Sequence, residues 1–208
     1  MTSDVQTARD DLAYLRGLVS SGTGPMQSTI GEAFLWAGLL FGSQCFLHWL
    51  QTQGLAPSEG LAALAISLLP TIIFCVVLTL IIWKDRKSKV TGVASRALGA
   101  VFQGAGLANL VMALVFAYGA SRAESFALWL YHPIVVCMFQ GVAWYVAWVI
   151  LRRAWIGLVA AGWFATTVGL GVAVFADIGA YLLTLSIALI VLMAIPGWVM
   201  WRGAKTAA

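Results

Sequence analysis

Two histidines, His48 and His132, carry the chemistry that would matter most in this chain if they met. Each lies in an apolar run, as in LWLYHPIVV around His132. Paired imidazoles from separate helices can clamp a haem iron or a transition metal, and a lone imidazole exchanges a proton near neutral pH. Around them the chain offers little else. The 3 cysteines, Cys45, Cys75 and Cys137, show neither CxxC nor Cys/His spacing. They read as small apolar packing residues rather than a disulfide framework or a zinc site. HExxH, GxSxG and a phosphate-binding glycine loop are absent from the sequence. No Asp, Glu, Lys or Arg falls in the middle of an apolar run. That speaks against an ion-coupled pump and against a membrane hydrolase with a buried catalytic dyad. The expectation is a non-enzyme, with no catalytic residue, cofactor or metal assigned.

The elements that must position these residues are membrane spans. Of 208 residues, 62% are hydrophobic and 10% charged, against about 25% charged in soluble domains. The net charge of +4 forms no contiguous basic stripe, so nucleic acid is excluded as a partner. The opening MTSDVQTARDDL lacks a basic head followed by a short apolar core, so no cleavable signal peptide is expected. A hydrocarbon core needs about 20 apolar residues per helix. Six runs qualify: 31–50, 61–83, 97–118, 126–150, 155–175 and 179–201. The sequence therefore predicts an all-α integral membrane protein, a six-transmembrane-helix bundle over residues 25–208. Residues 1–24 are expected to form a short cytoplasmic amphipathic helix and a flexible joint. Val5, Ala8, Leu12, Leu15 and Val19 would build its apolar stripe.

Basic residues set the orientation. Eleven of the 12 Lys and Arg fall on one side of an even-span topology, and only Arg122 falls on the other. The positive-inside rule then places both ends in the cytoplasm of a cell membrane, read as a bacterial inner membrane. Trp83, Trp155 and Trp201 mark inner ends, while Trp49 and Trp129 mark outer ends.

On that topology His48 and His132 both fall on the outer side, near Asp177. Pro133 steers His132 out of the α region and suits a first helical turn. His132 is therefore expected at the membrane surface. His48, His132 and Asp177 stand as outer-face ligand candidates, with interfacial anchoring as the plainer role. Near the midplane, Asn109 and Gln140 are expected to hydrogen-bond each other, because lipid satisfies neither amide. Gly157, Ala161, Ala165, Gly169 and Ala173 recur every fourth position and predict a packing stripe on the fifth span. Ala100–Gly104–Ala108 and Gly38–Gly42 offer shorter versions.

Three functions fit these residues. The foremost is an accessory, sensory or interaction subunit in the lipid bilayer, with a protein partner or a homo-oligomer. A small transporter or channel for a neutral or lipophilic solute is the alternative, resting on Gln44, Gln103, Asn109 and Gln140. A bis-histidine haem or metal redox protein is the third.

Overall fold

The computed structural model describes residues 23–85 and 93–205. Among them no strand occurs, and six helical segments are long and apolar enough to cross a membrane. The chain is thus a multi-pass, all-α membrane protein, as runs with no other way to satisfy their backbone in lipid require.

The first span is α1 (Thr23–Thr52), the second α2 (Gly60–Asp85) and the third α3 (Val93–Arg122). The fourth is broken into a single turn, α4 (Phe126–Trp129), and a long helix, α5 (Tyr131–Leu151). The fifth is α6 (Ala154–Ala176). The sixth comprises α7 (Ile178–Leu189), a π-helical turn (Ile190–Ala194) and α8 (Ile195–Lys205). Each helix overruns its predicted apolar run by a few residues. The amphipathic helix expected in residues 1–24 lies outside the described residues, except that Thr23 and Gly24 already open α1. Pro25 sits in that first turn, where its missing N–H removes no helical bond.

Prolines explain two of the irregularities. Pro133 withholds the N–H that would reach the Trp129 carbonyl, so the fourth span breaks at Leu130 rather than running through. Pro196 likewise has no N–H for the Leu192 carbonyl and crowds it, and the ladder widens to a π turn just before it. Between α5 and α6, Arg152 takes a left-handed conformation at φ 54° and Arg153 an extended one, which folds the pair into a hairpin.

Helix α1 is the hub of the bundle. It packs on α2, on the whole of the sixth span and, more lightly, on α3. From the sixth span the circuit continues through α6, α5 and α3 back to α1. Helix α2 stands outside this ring and shares its substantial contacts with α1 alone. The core lies inside the ring, where Trp144, Trp163, Tyr181, Leu170 and Cys137 are fully buried. Phe34 brings α1, α3 and α5 together, 5.1 Å from Phe102 and 5.6 Å from Trp144 between ring centroids.

Where α1 meets the sixth span, backbone touches backbone. A Cβ at Gly197 would stand 2.5 Å from Leu35 N and 2.8 Å from Gly31 O. One at Gly31 would stand 2.6 Å from Trp201 N, and one at Gly38 2.7 Å from Leu189 O. Only glycine permits that approach. Ser186 Oγ adds a buried hydrogen bond to Gly42 O at 2.9 Å across the same seam. The contact of Gly31 with Gly197 and Trp201 also brings the start of α1 and the end of α8 to one end of the bundle, called proximal below.

The stripe predicted on the fifth span does not pack in this way. Ala161, Ala165 and Gly169 are exposed, and a Cβ at Gly169 would meet nothing within 4 Å. Gly157 lies against the Trp148 ring, and Ala173 touches the core cluster. Helix α6 instead turns Ile156, Val159, Ala160, Trp163 and Leu170 inward. Bulky side chains fill the space between α5 and α7 and gain the dispersion contacts that alanine and glycine cannot make.

Candidate functional site

The polar residues singled out from the sequence resolve into three structural fastenings and one open group. The first fastening is at the distal end of α1. His48 Nδ1–H donates to Gln51 Oε1 at 2.7 Å, and Gln51 Nε2 donates to Pro57 O at 2.6 Å. His48 thus anchors the loop between α1 and α2. The second is Asp177, whose two carboxylate oxygens accept from Gly179 N at 3.1 Å and Ala180 N at 2.8 Å. It caps α7 and offsets the positive end of that helix, so its oxygens are already engaged. Gln44 is the third. Its Nε2 donates to Ser67 O at 2.8 Å, beside the Ile66 carbonyl that Pro70 leaves without its helical donor. That bond ties the peripheral α2 to α1.

The open group forms around His132. Its Nε2 lies 3.0 Å from Asn109 Oδ1, joining α5 to α3. The Trp129 ring stacks on the imidazole at 5.0 Å and 23°, and Phe116 meets it edge-on at 6.0 Å. Trp129 and His132 are three residues apart, and the right-handed helical conformation of Leu130 between them keeps the two rings on one face. Tyr181 holds the break by donating its hydroxyl to Leu130 O at 2.6 Å. Both His132 and Asn109 are half-buried.

One expectation is corrected here. Asn109 pairs with His132, not with Gln140, whose Oε1 is buried and without a partner among the described residues. His132, expected at the membrane surface, is half-buried between helices six residues after Phe126. It meets α3 at Asn109, near the middle of the apolar run 97–118 and thirteen residues (122 − 109) before the end of α3 at Arg122. At 1.5 Å per residue, α3 continues for about 20 Å beyond the contact. Helices α3 and α5 do pack against each other. Their register sets His132, rather than Gln140, against Asn109.

The two histidines are engaged separately, His48 by Gln51 and His132 by Asn109. Among the described residues no three His, Cys, Asp or Glu side chains gather as a metal site. The indole N–H groups of Trp144 and Trp163 are buried without acceptors among the described residues, and no sequence signal marked them. Gln103 was noted as a polar residue inside the bundle. The structure exposes it on the outer face of α3.

No protein-family model, curated protein or solved structure matches this chain.

Proposed function

We propose that the protein is an interaction subunit of the membrane, working by association with another membrane protein. The observation that carries this reading is Gln103. Seven residues after Arg96, about 10 Å into the bilayer along α3, its side chain is exposed and bonds no described residue. An amide left in hydrocarbon without a partner is unfavourable by a few kcal/mol, on the order of the burial penalty for an unpaired polar group. A helix of a partner protein with a donor or acceptor at the same depth removes that penalty. Ala100 and Gly104 flank the amide and are exposed, and a Cβ at Gly104 would meet nothing within 4 Å. Small positions beside a polar side chain are the surface on which helices approach each other in lipid.

We further infer that the proximal end faces the cytoplasm of a bacterial inner membrane, since eleven of 12 basic residues belong to that side. Maleimide labelling of intact cells should then reach cysteines placed at Ser58 or Ala123 and spare one placed at Arg202.

A photo-crosslinking residue at Leu107, on the same face of α3, tests the association. It should yield a discrete protein adduct in living cells, whereas the residue at Ile72 on α2 should yield only diffuse background. Identical patterns at both positions would remove the basis for the proposal.

A further inference from the structure

The group around His132 has hydrogen-bonding capacity that the fold leaves unused. A neutral imidazole carries one donor nitrogen and one acceptor nitrogen. Because Nε2 faces the Asn109 carbonyl oxygen, the proton resides on Nε2 and Nδ1 is the lone-pair acceptor. No described residue donates to Nδ1, and none accepts from the Asn109 amide nitrogen. The imidazole on α5 therefore keeps one acceptor, on the side of the ring away from Asn109, and the amide on α3 keeps one donor.

Their surroundings narrow what could use them. Trp129 stacks on the imidazole and Phe116 closes in edge-on, which makes a wall of ring faces and edges. Such walls favour another flat ring over a flexible chain. Gly106 and Leu110, on either side of Asn109 along α3, are exposed. Gly106 and Leu110 belong to the apolar run 97–118, so approach along them is sideways from the bilayer. A phospholipid headgroup belongs to the interfacial zone, whereas Asn109 lies near the middle of an apolar run.

We propose that His132, Asn109, Trp129 and Phe116 form a binding site for a lipid-soluble phenol or hydroquinone. Its ring hydroxyl donates to His132 Nδ1, a second ring oxygen accepts from the Asn109 amide, and its ring packs against Trp129 and Phe116. Gly106 and Leu110 share the α3 face that bears Gln103, but neither His132 nor Asn109 is needed for crosslinking at Leu107, so the two assignments are read by separate measurements.

The test uses the full chain, free of a histidine tag and labelled with 15N at histidine. Two histidines give two readily separated sets of ring resonances. In detergent micelles, His132 should appear with Nε2 protonated and Nδ1 unprotonated. Decylubiquinol should shift the Nδ1 resonance to saturation and leave His48 unmoved. Decylubiquinone, which lacks the hydroxyl, should bind at least about tenfold more weakly, the effect of one hydrogen bond. Equilibrium dialysis should show a similar loss of quinol affinity for Asn109→Leu and His132→Phe. No saturable shift, equal affinity for quinol and quinone, or unchanged quinol binding by a folded Asn109→Leu variant would each overturn the site. An Nδ1 resonance already displaced in phospholipid nanodiscs, with no quinol added, would assign the position to a lipid hydroxyl and overturn it too. The quinol–quinone contrast needs only the wild-type chain, so a variant that fails to fold does not protect the proposal.

Discussion

Two rows of small residues lie in this bundle and do opposite things. On α1, Gly31, Gly38 and Gly42 press against the sixth span so closely that an added Cβ would lie within 3 Å of another atom at each position. On α6, Ala161, Ala165 and Gly169 face outward, with open space at Gly169. The α6 row is the longer and more regular of the two in the sequence. The difference shows that a small stripe records where a helix could be approached, while a second helix of matching shape decides whether it is. The π turn before Pro196 supplies part of that shape, since Gly38 meets the backbone of Leu189 and Ala194 at its two ends and Gly42 the side chain of Ile190 within it.

The comparison breaks most readily at Gly197 and Gly38. Gly197→Ala places a methyl 2.5 Å from a backbone nitrogen that cannot move aside. Destabilisation of at least about 1–3 kcal/mol is expected, the range for over-packing, and Gly197→Leu should abolish folding. Reversible unfolding in mixed micelles measures the first, and recovery of monodisperse protein the second. If Gly197→Ala unfolds like the wild type, the backbone seam does not exist.

Gly42→Ala separates backbone contact from side-chain contact. Its Cβ would meet Ile190 Cγ1 at 2.8 Å, an atom on a rotatable side chain. The expected loss is about 1 kcal/mol, at the low end for a site that can give way. A loss as large as that at Gly197 would mean that Ile190 is locked in place.

The polar contacts permit a finer comparison. Asn109→Leu with His132→Phe should show coupling of ~0.6 kcal/mol, up to about 1.7, as interhelical bonds in membranes do. Asn109→Leu with Gln140→Leu should be additive within about 0.5 kcal/mol, because the two amides share no bond. Reversal of these two results would restore the pairing read from the sequence.

The smallest effect belongs to the outward row. Gly169→Leu should change stability by no more than about 0.5 kcal/mol, as at other positions free of packing. A clear loss of a higher-order species in crosslinked membranes, with the monomer unaffected, would show instead that the row contacts another chain.

The number and length of the spans were legible in the sequence because bilayer thickness imposes them locally, run by run. Pro133 marked an irregularity for a similar reason, since a missing N–H acts on its own neighbours, but α5 begins at Tyr131 and His132 is helical rather than outside the α region. Nothing local assigned faces. When lipid is the solvent, an outward leucine is as well placed as an inward one, so hydrophobic pattern carries no record of which side of α6 is the core. Tertiary contact made that choice and turned Trp163 and Leu170 inward. It also decided the partner of Asn109. The sequence showed two midspan amides and a histidine before a proline. Only the packing of the fourth span on α3 set His132 against Asn109 and left Gln140 Oε1 without a partner among the described residues. Depth along one helix follows from counting residues, but the register between helices depends on how the chain turns between them.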